Sequence, residues 1–263
     1  MSRRARWLAE WRKSTGKPVF YHVISRVVDR RVALGTEEKE KFRALMRLQE
    51  KFTGCRANSY CLMDNHFHIL LEVPPMADGG LSDEVLLKRL SAIYSEAFVA
   101  GVAKELTDAK TVVYANEGGL DEAVAAIHKR FTYRMHDLGE FMKGLLQRFS
   151  QWFNRAHSRT GRLWEDRFKS VIVEDGVAAK TKRTRKGMGA ADAERVTERA
   201  GELSRGKMLR CRVRYFTDGA VIGSRVFVNE AFANARDRFG RTGRGRCAAM
   251  RLPQQGCCGP CGI

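Results

Sequence analysis

The spacing of apolar and polar residues predicts a run of strands and helices through the first two thirds of the chain. Strands are predicted at residues 21–28, 56–63, 66–73 and 169–173, and helices at 36–53, 82–105, 121–135 and 138–156. Thr36 is the expected cap of the first helix, which Gly54 ends. Asp64 and Asn65 provide a tight turn between two strands, so residues 56–73 are expected to form a hairpin.

A strand, a helix and a hairpin, followed by further helices, predict an α+β fold. We expect an antiparallel sheet with flanking helices, followed by a basic, flexible carboxy-terminal region. The expected organisation is a basic arm at 1–16, a main domain at 17–179, a basic linker at 180–207, a subregion at 208–240 and a disordered tail at 241–263.

The positive charge of the chain lies at its two ends. The sequence carries 48 lysines and arginines against 30 acidic residues, a formal net charge of +18. Residues 32–179 are nearly neutral, with 20 basic and 21 acidic side chains, whereas residues 1–31 carry nine basic and two acidic ones. Basic ends favour a polyanion such as nucleic acid as partner. The alternative is a solvated tail without a ligand.

Composition excludes several other classes of protein. No apolar run reaches the roughly 20 residues that span a bilayer, so we expect no membrane partner and a cytoplasmic location. Seven scattered cysteines do not make a disulfide scaffold and fit a reducing compartment. Cys257, Cys258 and Cys261 lack a second ligand pair, so free thiols in a tail are favoured over a zinc site.

The sharpest chemical signal is the sequence His66-Phe67-His68 on the predicted strand 66–73. Because side chains alternate along a strand, both imidazoles point to one face and Phe67 to the other. Two neighbouring imidazoles are able to hold one metal ion, and Glu72 shares their face as a candidate third ligand. The alternative is a pair of partly exposed histidines without a ligand.

Several segments together resemble one family. Residues 63–71 (MDNHFHILL) look like the HUH motif, histidine, hydrophobic residue, histidine, of single-tyrosine transposases, especially the REP-associated tyrosine transposases. Residues 21–26 (YHVISR) are similar to the family's first strand, and residues 153–155 and 159–170 to its second hallmark. Residues 215–224 resemble the carboxy-terminal region of some members.

The resemblance implies a fold, a reaction and a set of site residues. It implies an HUH domain of ferredoxin-like type that binds single-stranded or hairpin DNA in the bacterial cytoplasm, associated with the nucleoid and forming a homodimer. Mg²⁺ or Mn²⁺ held by His66, His68 and a third ligand would polarise the scissile phosphate, and a tyrosine would attack it. The candidate DNA-binding residues are Arg159, Arg162, Arg167 and Lys169.

The sequence departs from the family where the nucleophile belongs. In the family, a tyrosine and an asparagine metal ligand follow the strand that matches residues 169–173, but this sequence has no tyrosine between Tyr133 and Tyr215. Those two tyrosines, outside the family's context, are the substitute candidates. Besides Glu72, the candidate third ligands are Gln147, Asn154 and Asp166.

The sequence therefore leaves three functions open. The first is a transposase that cleaves and rejoins DNA strands with a metal ion, impaired by the absence of the tyrosine motif. The second is a non-catalytic, DNA-binding remnant of a transposase. The third is a metal-dependent nuclease in which water takes the place of the tyrosine.

Overall fold

The fold is seen in a computed structural model, which describes residues 8–9, 16–113, 120–174, 221–223, 225–234 and 250–251. The chain divides into two compact units. The larger consists of Trp11–Pro18 and Ile24–Phe168, and the smaller of Met1–Glu10, Val19–Val23 and Lys169–Ile263. The first strand is divided between them.

In its described residues, the larger unit has three strands and five α-helices. They are β1 (Val19–Arg26, by its last three residues), α1 (Thr36–Thr53), β2 (Arg56–Leu62), β3 (His66–Val73), α2 (Asp83–Leu90), α3 (Glu96–Val113), α4 (Leu120–Thr132) and α5 (Leu138–Ala156). The strand order is β2-β3-β1, with β2 and β3 as an antiparallel hairpin. The pairing shifts once, between Ala57 and Ser59.

An aromatic core lies under the inner face of the hairpin. The rings of Phe42 on α1 and Phe67 on β3 are 4.8 Å apart between centroids, and both side chains are buried. Phe149 on α5 lies 5.2 Å from Phe42, and Trp164 lies 5.5 Å from Phe67. Residues from two helices, a strand and the segment after α5 therefore hold β3 in place. A second core joins α1 to α2, α3, α4 and Met135.

The described bounds confirm most of the predicted elements. Strand β3, helix α5 and the strand Lys169–Val173 coincide with the predicted ranges. Strand β1 begins and ends two residues earlier than predicted, and the chain then enters a 3₁₀ turn at Val28–Arg30. Helix α4 ends at Thr132, three residues early, and Arg134 and Met135 donate backbone hydrogen bonds in the turn that follows.

Two details of the predicted helices are wrong. Thr36 is the first helical residue and not the cap, because Gly35 takes the extended cap conformation one residue earlier without a side-chain hydrogen bond. The helix predicted over 82–105 is two helices, α2 and α3. The chain turns between them, and each helix is preceded by a serine, Ser82 or Ser95, whose hydroxyl accepts an amide hydrogen bond.

The smaller unit contains the other strand pairings. Its described elements are the first five residues of β1, β4 (Lys169–Val173), β5 (Val221–Gly223), α6 (Arg225–Asn234) and β6 (Met250–Arg251), in the strand order β1-β4-β5-β6. Strand β5 pairs in parallel with β4 and with β6. The predicted α+β class is confirmed, with these short parallel pairings as an unpredicted addition.

Part of the predicted organisation lies outside the described residues. This applies to the linker at 180–207, to most of the tail at 241–263, and to Tyr215, Cys257, Cys258 and Cys261. Within the predicted tail, Met250 and Arg251 form β6. The domain boundaries stay predictions.

Candidate metal centre and basic surface

The two histidines of β3 share one face of the hairpin, as the alternation predicts. His66 and His68 are half-buried, whereas Phe67 and Ile69 are fully buried on the opposite face. The imidazole rings of His66 and His68 lie 5.2 Å apart between centroids, at an interplanar angle of 69°. The aromatic core holds Phe67 and so fixes the strand that carries both rings.

The turn that precedes His66 is anchored by the segment that follows β1. The amide of Val27 donates to the carbonyl of Asn65 over 2.8 Å, and the amides of Ala33 and Leu34 donate to the carbonyl of Asp64 over 2.9 and 2.8 Å. The ammonium group of Lys39 pairs with the Asp64 carboxylate at 2.6 Å. The hairpin tip is therefore held by backbone and side-chain bonds together.

Asn65 fixes the protonation pattern of the His66 ring. Its amide nitrogen donates to the carbonyl of Arg30 over 3.0 Å, so its amide oxygen faces His66 Nδ1 at 2.6 Å. An amide oxygen only accepts, which means that Nδ1 carries the proton and Nε2 keeps its lone pair. Metal-binding histidines are oriented in this way by a partner on the other ring nitrogen.

The charge state of the His66 ring also favours metal binding. Partial burial of the ring lowers its pKa from the ordinary value of 6.5, and the positive charge of Arg26 lowers it further. The imidazole is thus neutral at neutral pH, the form that binds metal ions.

The strand opposite the histidines carries two sulfur-containing side chains that the sequence analysis did not single out. Cys61 is paired with His68 in the β2–β3 register, and the amide of Met63 donates to the carbonyl of His66 over 2.8 Å. The signal was available, because a two-residue turn at Asp64 and Asn65 places these residues opposite each other.

The structure does not bring Glu72, the candidate third ligand on the same strand, to the histidine pair. Glu72 shares the histidine face, but it lies four residues beyond His68, about 13 Å along a strand. Its carboxylate accepts a hydrogen bond from Asn58 at 3.1 Å and pairs with Arg56 at 3.5 Å. Among the described residues, no three His, Cys, Asp or Glu side chains form a group able to hold a metal ion.

The other three candidate ligands lie on α5 or in the segment after it. Gln147 and Asp166 are exposed. The Asn154 amide nitrogen donates to the carbonyl of Gly161 over 2.9 Å, so this side chain closes the loop that follows α5.

The four candidate DNA-binding residues are accessible. Arg162, Arg167 and Lys169 are exposed, and Lys169 begins β4. Arg159 is half-buried, with its guanidinium 5.8 Å from the centre of the Phe153 ring. Exposed cations suit contacts with phosphate, which need charge and reach more than a rigid pocket.

The remaining sequence candidate in the described part of the chain is Tyr133. It directly follows α4 and is 61% exposed. Within the described residues, no helix is long and apolar enough to cross a membrane.

Comparison with known proteins gives a match to one family over part of the chain and two structural likenesses. Residues 17–98, which include the whole hairpin, match the family described as transposase IS200-like. A candidate transposase from Deinococcus radiodurans R1 is 13% identical, with a TM-score of 0.32, over 66% of this chain and 93% of that one. A REP-associated tyrosine transposase bound to a REP hairpin is also 13% identical, with a TM-score of 0.35, over 70% of this chain and 68% of that one. No curated protein matches the chain.

Proposed function

We propose that this chain, whose residues 17–98 match the family described as transposase IS200-like, binds single-stranded or hairpin DNA as a transposase of the REP-associated type. The proposed reaction is metal-dependent cleavage and rejoining of a DNA strand. The observation that carries the proposal is the His66–His68 pair, two adjacent imidazoles on one anchored strand inside the matched segment.

The chain's own residues supply part of a metal site. His66 offers Nε2 because Asn65 occupies Nδ1, and His68 lies beside it on the same face. A divalent ion, Mg²⁺ or Mn²⁺ by family, would supply Lewis-acid polarisation of the scissile phosphate. Two imidazoles fit two coordination positions of such an ion and leave the others to oxygen donors, which both ions prefer.

Strand cleavage is proposed to be impaired in this chain. The family's tyrosine and asparagine are missing from the sequence that follows β4. Tyr133 and Tyr215 are the candidate substitutes, and neither stands in the family's context. The second candidate function is a DNA-binding remnant that recognises hairpin DNA without cutting it, and the missing motif is the observation that favours it.

The basic residues are proposed to bind the DNA backbone. Arg159, Arg162, Arg167 and Lys169 come from the stretch that resembles the family's second hallmark. The charged ends of the chain add further sequence-independent attraction to phosphate. From the same family match we propose that the chain forms a homodimer and that it is associated with the nucleoid in the bacterial cytoplasm.

A covalent-adduct assay tests this function. Purified protein is incubated with a labelled DNA hairpin that carries a single-stranded flank, with Mn²⁺. Binding is detected on a native gel, and cleaved strands and covalent adducts are separated on a denaturing gel. His66→Ala is the test variant, and His157→Ala is the matched control because His157 follows α5 and pairs with Glu38 on α1.

Each outcome of the assay has a distinct meaning. A protein–DNA adduct that disappears in His66→Ala but not in His157→Ala supports a working transposase. Binding without cleavage supports the DNA-binding remnant, and cleavage without an adduct points to water as nucleophile. Failure to bind either single-stranded or hairpin DNA would overturn the proposed function.

A further inference from the structure

Four potential metal-binding side chains stand on one face of the β2–β3 hairpin. Cys61 is opposite His68, and Met63 is opposite His66 across the Asp64–Asn65 turn. Directly opposite residues of an antiparallel pair have Cβ atoms about 4.5–5.5 Å apart. The two sulfurs therefore occupy one edge of a rectangle, and the two imidazoles the other.

The two sulfur atoms already lie at a chelating distance. The Cys61 thiol donates to the Met63 thioether, with Sγ and Sδ 3.5 Å apart. Metal–sulfur bonds of about 2.3 Å at a tetrahedral angle would place two sulfurs about 3.8 Å apart. A single ion between Sγ and Sδ therefore needs only a small outward movement of two flexible side chains.

The donors are also reachable from solvent. Met63 is 44% exposed, and Cys61, His66 and His68 are half-buried. Cys55 provides the contrast: it is buried, and burial raises its pKa to about 12, which keeps the thiol protonated and inert.

The donor chemistry selects a class of ion. Thiolate and thioether are soft ligands that favour Cu(I) and similar cations, and imidazole is compatible with them, whereas Mg²⁺ and Mn²⁺ prefer oxygen. We propose that Cys61, Met63 and His68 form a binding site for a soft monovalent cation of the Cu(I) class. Met63 is the essential third donor. Among the described residues, no three His, Cys, Asp or Glu side chains form a group able to hold a metal ion without it.

The site has a consequence for the histidine pair. His68 belongs both to the soft-cation site and to the pair proposed to hold a hard divalent ion. A bound soft cation would therefore withdraw His68 from the divalent ion. The soft-cation site itself rests only on the hairpin geometry and stands whether or not the chain acts on DNA.

Silver(I), which is not redox-active under these conditions, is the probe. The full chain is used with the five cysteines outside the described residues changed to serine: Cys211, Cys247, Cys257, Cys258 and Cys261. Silver(I) affinity is measured by competition with a small thiol. Binding is also followed through the ¹³C resonance of the Met63 methyl group and the ring resonances of His68.

The variants separate a three-donor site from a lone thiol. Met63→Leu and His68→Ala are each expected to weaken silver(I) binding about tenfold or more, since loss of even an outer-shell partner costs about 10–100-fold. Met76→Leu and His157→Ala are the matched controls and should leave the affinity unchanged. Each variant is first checked for an unaltered far-ultraviolet circular dichroism spectrum.

The proposal has a clear contrary result. If Met63→Leu and His68→Ala bind silver(I) as tightly as the parent, or if the Met63 methyl resonance does not move, Cys61 acts as a lone thiol and the site does not exist. Because no DNA is present, this failure is distinguishable from a failure of the proposed function.

Discussion

The orientation of the His66 ring by Asn65 gives the most exacting prediction. In Asn65→Ala, the ring loses the acceptor that lies 2.6 Å from Nδ1, and the carbonyl of Arg30 loses its donor at 3.0 Å. Arg30 has a left-handed φ of 55°, a conformation that side-chain hydrogen bonds help to hold. The substitution therefore frees both the imidazole and the turn that precedes it.

The size of the effect follows from the two lost bonds. Each hydrogen bond contributes about 1 kcal/mol net, so the free energy of unfolding should fall by about 1–2 kcal/mol. Removal of an outer-shell partner of a metal-binding histidine weakens metal affinity about 10–100-fold, and Mn²⁺ binding should weaken to that extent. Asn58→Ala is the matched control, because Asn58 lies on the same hairpin but bonds to Glu72.

Long-range ¹H–¹⁵N spectra measure the tautomer directly. In the parent protein at neutral pH, His66 should carry its proton on Nδ1, and in Asn65→Ala both tautomers should appear. The Asn58→Ala spectrum should match that of the parent. A proton on Nε2 of His66 in the parent protein, or an unchanged tautomer in Asn65→Ala, would refute the reasoning.

Three further predictions concern the frame of the site. Phe67 is fully buried against two aromatic rings. In denaturant titrations, Phe67→Ala should therefore lower the free energy of unfolding by about 3–5 kcal/mol, and Phe67→Leu by under about 1.5 kcal/mol. Equal losses in the two variants would contradict this. Gly54→Ala should cost about 1–2 kcal/mol, because Gly54 has a φ of 76° and a Cβ atom there would lie 2.8 Å from the Arg89 guanidinium; an unchanged stability would show that the turn relaxes freely. Burial lowers the pKa of His136, so this imidazole takes up a proton less readily in the folded state than in the unfolded state. Thermal stability should therefore be greatest above about pH 6.5 and should decline as the pH falls below that value. His136→Gln should flatten that decline, and an equally steep decline in this variant would assign it to other groups.

The elements predicted best are those with a strong pattern and a marked end. Helix α5 has apolar residues at helical spacing and begins after Asp137, whose carboxylate accepts from the amide of Glu140 over 2.9 Å. Strand β3 is bounded by a tight turn and two prolines. In both cases local chemistry and burial point to the same bounds.

The break between α2 and α3 shows what periodicity misses. Leu86 and Leu90 on α2, and Val102 and Leu106 on α3, all enter the same core. When the helical spacing of apolar residues continues through a turn, the two helices look like one long helix in the sequence. The spacing shows which residues are buried, but it does not show that the helix axis changes direction. The serine before each helix was the available local signal.

The site was predicted along one strand, whereas the residues on the opposite strand were missed although the two-residue turn defines the register. Alternation placed His66 and His68 together, but it also placed Glu72 on their face without showing that rise along the strand separates it from them. Cys61 and Met63 become neighbours of the pair only through the hairpin register. Partners that depend on long-range packing, such as Trp164 against Phe67, leave no mark in the local pattern.

At the centre of the proposed function is the binding of DNA through the chain's basic residues. The most direct test measures the affinity for a labelled DNA hairpin with a single-stranded flank over a range of salt concentrations. The comparison is with a variant in which Arg159, Arg162, Arg167 and Lys169 are alanine. We predict a linear fall of log affinity with log salt, and a slope that is smaller in the variant by about 0.7–0.9 for each lost phosphate contact. Affinity that does not depend on salt, or that is equal in the two proteins, would contradict the account.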